Sequence, residues 1–447
     1  MKPVLLLTTV SLCLLDYALH CDSNIFRAFE VALLQTQWML SVCLAVWCGT
    51  FLFLAFSLKD LPLIGLLLLA IVACFIGYET KPLTDAITLL AGVTVGKGAA
   101  LLLNTDCRVR SVKQEGSFEI RNPKSEIRNF LWGLVLLLAL SSWWHLDMSD
   151  NFYHGPRWMG LWNNPNDYGL LMGVGMALAI GLLAVSPKSR VQSPQSGESA
   201  SEQWKAEGRK QKLVRASSRR LLQIILFIAA GMIGVGLLFS YSRGAWVGTA
   251  IGLLYLAKAH GKFKWRFVLP SVFVVAAVVW FFWNATPETA PWYVKRMDFG
   301  RASAQHRVAA WKAGFEIMRD HPFGVGWNKA VDVYQKNYSP PENGAAAITT
   351  NDYLMLGTQL GFPGLLCFVA YVALCLGAPA SRRQVRSKAK PAGETSALPA
   401  PPAACRAGAI ALLVAFWFDG GLFKPATAAG FWILLELGAS GLAVRNS

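Results

Sequence analysis

An arginine lies between two long apolar stretches, where its charge is costly to accommodate. Arg243 follows the apolar run 221–239 and precedes a second one, 247–257. A guanidinium stays charged at any working pH, and placing one at the centre of a bilayer costs about 2.5–3.5 kcal/mol even on insertion scales. Its planar fork of donors suits phosphate, and the hydroxyl of Ser242 adds a donor at the same point. We therefore predict an anion site here, and the alternative is an arginine that reaches to the membrane interface.

The elements that must position this arginine belong to a membrane protein. The chain has 447 residues, of which 54% are hydrophobic and only 15% are charged, a composition typical of many membrane spans. The net charge of +16 lies mostly in short loops between apolar runs, which favours a topological role over nucleic-acid binding. The nine cysteines form no CxxC pair or Cys/His cluster, so neither a disulfide framework nor a metal site is predicted, and no cofactor is expected.

Apolar runs of bilayer length predict an all-α, polytopic fold of about twelve transmembrane helices. Three basic loops, near 104–128, 187–220 and 379–406, all fall on one side if both termini are cytoplasmic. These loops are interpreted as disordered spacers. The predicted organisation is nine spans in 1–283, a lid segment on the outer face at 284–350, and three spans in 351–447. The predicted spans are 4–20, 37–58, 61–78, 83–103, 129–146, 168–186, 221–240, 244–258, 266–283, 352–376, 407–423 and 426–443.

The segment 284–350 has helix signals of its own. An apolar stripe at spacings of three and four predicts an amphipathic helix that begins at an N-cap, Ser303, and ends at 320–322. A second short helix is predicted near 328–338. We expect the pair to lie across the mouth of the bundle as a lid, with the stripe facing down. The stripe consists of Val308, Trp311, Phe315 and Met318.

Amide side chains cluster before two of the predicted spans. Asn164 and Asn166 flank a proline just before one span, and Asn351 precedes another. These amides would suit the mouth of a sugar-binding site. For the Asn-Pro-Asn sequence the alternative is a turn at the start of a helix, with Asn166 or Asp167 as the cap.

The order of these motifs resembles that of the O-antigen ligase/polymerase family. An Asn-Pro-Asn turn, a Ser-Arg-Gly hairpin, an Arg-led helix ending in His-Pro-x-Gly-x-Gly, and Asn-Asp-Tyr-Leu before Leu-Gly-Phe-Pro-Gly follow one another within roughly 155–376. The resemblance implies a glycosyltransferase of the bacterial inner membrane. Such an enzyme moves glycan from undecaprenyl diphosphate to an acceptor hydroxyl, on lipopolysaccharide core or a growing polysaccharide, on the periplasmic face. The family's diphosphate-binding arginines match Arg243 and Arg307, and their two charges would serve without a metal.

One position departs from the family pattern. Ligases of the family usually carry a histidine directly before the asparagine at the start of the tenth span, as the proposed base, and this chain has Thr350 there. A threonine hydroxyl is no base near neutral pH. Asp352 is the first candidate to replace the histidine because it adjoins the position. His321 is another, although a capping role at a helix end suits it better.

Two alternatives to a transferase stay open at this point. A transporter or exporter of lipid-linked glycan or of a small solute would also have twelve spans. Transporters carry matched repeats and buried ionisable groups, whereas this sequence shows no internal repeat and its in-span charges are few and unmatched. A homologue that only binds lipid-linked glycan is the second alternative. The in-span charges are Asp16, Lys97, Asp419 and Glu436.

Overall fold

The described part of the chain folds into helices joined by loops and turns, with no strand. A computed structural model describes residues 60–76, 84–109, 123–143, 157–162, 164–184, 202–259, 302–338, 351–377 and 400–440. The predicted all-α class is confirmed for this part. The helices are α1 (Leu61–Ile76), α2 (Thr84–Val109), α3 (Pro123–Ser142), α4 (Pro165–Leu183), α5 (Glu202–Ser240), α6 (Arg243–Ala259), α7 (Ala302–Asp320), α8 (Ala330–Val333), α9 (Asp352–Gly377), α10 (Ala400–Ala415) and α11 (Pro425–Ser440).

Four of these helices are long and apolar enough to cross a membrane. They lie at Thr84–Leu103, Pro165–Leu183, Arg220–Ser240 and Asp352–Gly377, and α1, α10 and α11 are shorter apolar helices. Two further predicted spans coincide with α3 and α6, which do not belong to either group. The predicted spans 4–20, 37–58 and 266–283 lie outside the described residues, so the count of twelve stays a prediction.

All three stretches predicted as disordered spacers are partly helical. α2 runs to Val109 and α3 begins at Pro123, so both ends of the loop 104–128 are helical. α5 begins at Glu202, so the basic residues from there to 220 continue the helix that leads to Arg243. Lysine and arginine are good helix formers, and a charged helix needs no apolar pattern. α10 begins at Ala400, which places Arg406 in a helix rather than in a loop, with its Nε 3.1 Å from the carbonyl oxygen of Gly438.

The interior of the bundle is built by close helix pairs. α11 packs along α2, α10 lies between α4 and α6, and α9 packs against α1. Gly248 lets α6 approach α10 closely, because a side-chain carbon there would overlap the carbonyl oxygen of Ala411 on α10. α10 and its following loop thereby sit at the centre of α4, α6, α9 and α11.

A buried charge cluster joins four elements of the bundle. The Lys97 ammonium lies 2.6 Å from Asp60 Oδ1 and 3.0 Å from Glu436 Oε1, with all three side chains nearly inaccessible. Tyr371 donates its hydroxyl to Glu436, and its ring lies 5.2 Å beneath the ammonium. The interpretation of the in-span charges as unmatched was therefore wrong for Lys97 and Glu436. Charges far apart in sequence meet here because α2, α11 and α9 bring them to one level.

Removing the lysine of this cluster should be strongly destabilising. We expect Lys97→Met to lower the free energy of unfolding by about 3–5 kcal/mol, because it leaves the carboxylates of Asp60 and Glu436 without their buried cation. The thermal midpoint of detergent-solubilised protein would report the loss. Lys258→Met, at an exposed position on α6, is the control and should shift stability by less than about 0.5 kcal/mol. Equal midpoints for the two variants would contradict the prediction.

α9 is sharply bent in its middle. Gly361 has φ +74° and ψ −178°, a conformation open only to glycine, and Pro363 follows. The two arms fold toward each other, so that the rings of Tyr353 and Phe368 come within 6.2 Å across the bend. The bend directs the first arm, which begins at Asp352, back into the protein.

The 321–326 turn, which follows α7, supplies the hydrogen bonds that the bend removes. In an unbroken helix the Gln359 carbonyl would accept from residue 363, but that residue is a proline without an N–H. The backbone N–H of Val325 donates to the carbonyl of Thr358 at 2.9 Å, and that of Gly326 donates to the carbonyl of Gln359 at 3.1 Å. The N–H of Phe362 donates back to the turn at 2.9 Å. The His-Pro-x-Gly-x-Gly and Leu-Gly-Phe-Pro-Gly motifs thus form one backbone interface.

The amphipathic helix predicted in the segment 284–350 is present as α7, with small corrections at its ends. It runs from Ala302, so Ser303 lies inside the first turn rather than at the cap, and it ends at Asp320 as predicted. The second short helix is found as α8 followed by a single π turn, Tyr334–Tyr338. Tyr338 Oη donates to Asp320 Oδ2 at 2.7 Å, which ties the two pieces together and lowers the pKa of Asp320 below its ordinary value.

Small residues, not large ones, form the packed side of α7. Ala310, Ala313 and Ile317 are buried, and Gly314 lies against Leu354 of α9. Small side chains let the two backbones approach closely. α7 is therefore held along the first arm of α9.

The predicted apolar stripe of α7 is divided between two sides. Met318 is buried and Trp311 is partly buried, with its ring 5.7 Å from that of Trp417. Val308 and Phe315 point away from the protein and are exposed. The prediction that the whole stripe faces down was therefore wrong for these two residues.

Candidate functional site

Several helices of the described chain begin around one buried loop, the 416–424 loop between α10 and α11. Phe416 and Leu422 are buried in it, and Asp419 is also nearly inaccessible. The first residues of α4, α6, α9 and α11, and an arginine in the second turn of α7, contact the loop or its neighbours. The loop is thus the centre on which the predicted site residues can be placed.

The hairpin before α6 brings Arg243 to this loop. Tyr241 takes a left-handed φ of +50°, and the Ser240 hydroxyl accepts from the N–H of Ser242, so the chain turns within two residues. The Ser242 hydroxyl accepts from the N–H of Ala245 at 3.2 Å, which caps the helix. Arg243 opens α6 at this turn and is partly buried.

Asp419 connects the two predicted arginine regions. Its Oδ2 accepts from the Ser242 hydroxyl at 2.8 Å. Its Oδ1 lies 3.6 Å from Nη2 of Arg307, whose Nη1 donates to the Phe418 carbonyl at 2.7 Å. The side chain of Arg307 keeps 26% exposure. The structure therefore brings the residue next to Arg243 and the side chain of Arg307 to the same carboxylate.

Asn351 and Asp352 fasten the start of α9 to the loop. Asn351 is fully buried, and its Oδ1 accepts from the N–H groups of Tyr353 and Leu354 at 3.0 and 3.1 Å, so it caps the helix. Its Nδ2 has no hydrogen-bond partner among the described residues. Asp352 Oδ2 accepts from two loop N–H groups, at 2.7 Å from Gly421 and 2.8 Å from Leu422. Asp352 thus positions the loop by direct contact.

The Asn-Pro-Asn sequence forms the turn that starts α4. Asn164 is the N-cap and accepts from the N–H of Asn166 at 2.8 Å, so the cap is Asn164 and not either of the residues first considered. Asn166 Oδ1 in turn accepts from Nη2 of Arg157 at 2.6 Å. Arg157 is buried and its Nε donates to the Ser240 carbonyl at 2.8 Å. This chain of bonds ties α4 to the hairpin before Arg243.

Of the three predicted catalytic residues, the structure places Asp352 at the loop and His321 away from it. His321 is exposed beyond the far end of α7, about 20 Å along the helix axis from Arg307. Its N–H bonds to the Ile317 carbonyl and its carbonyl to the Gly324 N–H, which is a helix-terminating arrangement. Thr350 lies outside the described residues. Asp352 is the one that contacts the loop.

Sequence reasoning missed three charged residues of the site. Arg157 and Lys424 were not singled out, and Asp419 was noted only as an in-span charge. Lys424 lies 2.6 Å from Asp167 and joins the starts of α11 and α4. Local signals existed for two of them. Arg157 is a basic residue ahead of the Asn-Pro-Asn motif, and Lys424 belongs to a Lys-Pro pair at the start of α11. The partnership of Asp419 with Ser242 spans 177 residues and has no local signal.

The arrangement is suited to an anion. Helix N-termini carry partial positive charge and unpaired N–H groups, and four of them start at or beside the loop. The side chains add four cations, Arg157, Arg243, Arg307 and Lys424, against three carboxylates, Asp167, Asp352 and Asp419. The carboxylates are held by hydroxyl, N–H or ammonium donors, as described above. Arg307 keeps exposed surface at the edge of this positively polarised centre and can reach a ligand.

Comparison with known proteins agrees with this geometry. The family model for O-antigen ligase matches residues 226–369. The matched range contains Arg243, Arg307, Asn351, Asp352 and the bend of α9, while the 416–424 loop and the start of α4 lie outside it. No curated protein matches the chain. The matched range holds the Ser-Arg-Gly hairpin, the Arg-led helix and the bend of α9, and over this range the chain is similar to the O-antigen ligase family.

Proposed function

We propose that the chain transfers glycan from undecaprenyl diphosphate to an acceptor hydroxyl on the periplasmic face of the bacterial inner membrane. The acceptor is lipopolysaccharide core or a growing polysaccharide. The observation that carries the proposal is the meeting of Arg307 and the start of α6 at Asp419, surrounded by helix N-termini. The diphosphate of the donor carries two negative charges and gains a third as it leaves, and this centre offers fixed positive charge and N–H donors to it.

The proposed reaction is a single displacement. The acceptor oxygen forms a bond to the anomeric carbon, the bond from that carbon to the phosphate oxygen breaks, and the lipid diphosphate leaves with the electron pair. Attack opposite the leaving group inverts the anomeric configuration. The guanidiniums of Arg243 and Arg307 stabilise the charge that develops on the diphosphate, so the step is proposed to proceed without a metal.

The arginines need fixed positions to act in this way. Arg307 is held by the Phe418 carbonyl and by Asp419, and the hairpin of Arg243 is held by Ser242 and Arg157. Because these bonds exist before a ligand arrives, little reorganisation is required when the leaving group becomes charged. The buried amide of Asn351, together with Asn164 and Asn166, is proposed to line the mouth where the sugars lie.

The acceptor hydroxyl must lose a proton, and Asp352 is the residue we propose to take it. Asp352 adjoins Thr350, where the family usually has a histidine, and its Oδ2 is already held by two N–H groups of the loop. Those two bonds orient the carboxyl group while leaving proton transfer to Oδ1. His321 is too distant along α7 to share this role without a rearrangement.

Substitution at two neighbouring positions tests the transferase and its base together. In proteoliposomes with a synthetic polyprenyl diphosphate donor, we expect Asp352→Asn to lower the transfer rate by about 10²-fold or more, since an amide can still accept from the loop but cannot take a proton. Thr350→His should keep or raise activity, and it should restore part of the rate to Asp352→Asn. The rates are measured by the labelled glycan that appears on the acceptor.

Other outcomes of the same experiment distinguish the alternatives. Full activity in Asp352→Asn would remove the base assignment and leave a step that needs little base assistance. Donor binding that requires Arg243, with no transfer by any form, would indicate a binding protein. Uptake of solute driven by an ion gradient, again with no transfer, would indicate a transporter and would overturn the proposal.

A further inference from the structure

The side of α7 that faces away from the protein carries large apolar and basic residues. Val308 and Phe315 are 61% and 52% exposed, and Lys312 and Arg319 lie beside them, also exposed. These four recur every three or four residues and so form one stripe along the helix. The opposite side, which holds Ala310, Ala313 and Ile317, packs with Tyr334 of the π turn, while Gly314 lies against Leu354 of α9. Two large apolar side chains on the outward side are not explained by packing within the described chain.

The stripe continues into a surface that faces lipid. Phe323, directly after α7, is 75% exposed, and the turn that carries it is bonded to the backbone of Phe362 at the bend of α9. Along the second arm of α9, Phe362 and Leu366 begin an exposed apolar row. α9 is one of the helices apolar enough to cross a membrane, and this exposed row is the side it presents to the acyl chains. The further members of the row are Val369 and Leu374.

The charges on the stripe suit the headgroup layer rather than the acyl interior. Arg319 lies 3.1 Å from Asp320 and is partly neutralised by it, whereas the described structure shows no ion pair for Lys312. A helix with an apolar row and flanking basic residues typically lies in the interfacial plane of a bilayer. There the apolar row contacts the acyl chains while the basic residues contact the phosphates. The bend of α9 places the turn that carries Phe323 beside Phe362, the first exposed apolar residue of the second arm.

We propose that the outward face of α7, from Val308 to Phe323, is docked in the headgroup layer of the membrane that α9 crosses. The occupant of this face is the bilayer itself, not a protein partner. α7 is thereby fixed between lipid on one side and the first arm of α9 on the other. The docking places Arg307, at the start of α7, at the depth of lipid phosphates. A lipid diphosphate would then reach Arg307 laterally from the leaflet. This last consequence rests on the proposed function, whereas the docking itself does not.

Fluorescence quenching in bilayer nanodiscs tests the docking on the full chain. Dansylalanine is introduced in place of Phe315, Phe323 or, as the control, Asn337, which is exposed on the π turn. With nitroxide-labelled phospholipid in the disc, we expect emission at positions 315 and 323 to fall at least twofold and emission at 337 to change little. Iodide in the water phase should give the reverse order.

Each other result overturns the proposal. Iodide quenching at 315 equal to that at 337, with no quenching by labelled lipid, would mean that the face is in water. Quenching by lipid at 323 alone would restrict membrane contact to the bend. Protection at 315 that appears only when each disc holds two protein molecules would identify a second copy of the chain as the occupant. None of these readouts depends on glycan transfer, so failure of the proposed function would leave the test of docking intact.

Discussion

Replacing Arg307 with alanine is expected to lower the rate of glycan transfer by about 10²–10³-fold, the usual effect of removing one fixed donor to a developing charge. The side chain donates to the Phe418 carbonyl and approaches Asp419, so the guanidinium is held in place while part of it stays exposed. Arg307→Lys should fall between alanine and wild type, because an ammonium keeps the charge but loses the planar fork. Initial rates with a polyprenyl diphosphate donor, at limiting and saturating concentration, measure both effects.

The control for this prediction lies on the same segment of chain. Lys336 is exposed on the π turn and contacts no part of the site, so Lys336→Ala should keep wild-type activity. Arg243→Ala should resemble Arg307→Ala, and the double variant should lose less than the product of the two effects, since the arginines are proposed to serve one leaving group. Unchanged transfer by Arg307→Ala at equal expression would remove the arginine from the mechanism.

The helices were predictable from the sequence, but their ends and their outward sides were not. Apolar runs located most of the spans within a few residues. The start of α5 at Glu202 was missed because a basic, polar segment shows no apolar period, although its residues favour a helix. In α7 the period correctly indicated a helix. The side that packs was missed because Ala310 and Ala313 pack closely with Ile317 and Tyr334, whereas a search for amphipathicity follows the large residues Val308 and Phe315.

The site was predictable where chemistry is carried by residue type and unpredictable where it depends on distant partners. An arginine between two apolar runs is informative by itself, and Arg243 and Arg307 followed from that argument and from the family resemblance. Asp419 can be assigned to the site only through its contacts with Ser242 and Arg307, which lie 177 and about 110 residues away in the chain. The same limit explains Lys97, whose partner Asp60 is on a different helix. Helix pairing determines such contacts, and no single spacing reports it.

Gly361→Ala is expected to be one of the most damaging substitutions in the described fold. Its φ of +74° is strained for any residue with a side chain, and the added carbon would overlap the Pro322 carbonyl oxygen. Strain and overlap together should cost roughly 3–5 kcal/mol, enough to remove most folded protein from a marginally stable chain. The fraction of monodisperse protein in detergent and its thermal midpoint measure the loss. Gly231→Ala, in α5 with open space around it, should be neutral or slightly stabilising.

Gly324 lies on the other side of the contact between the 321–326 turn and the bend of α9, so its substitution tests the same contact. Its φ is +86°, and a side-chain carbon there would overlap the Gln359 carbonyl oxygen. If the 321–326 turn and the bend of α9 are one backbone interface, Gly324→Ala should destabilise about as much as Gly361→Ala, and the double variant little more than either. Additive losses would instead mean two independent sites of strain. The bend directs Asn351 and Asp352 toward the 416–424 loop. The folded fraction of these variants should therefore also transfer glycan more slowly per molecule than the wild type, as expected if the bend positions the start of α9.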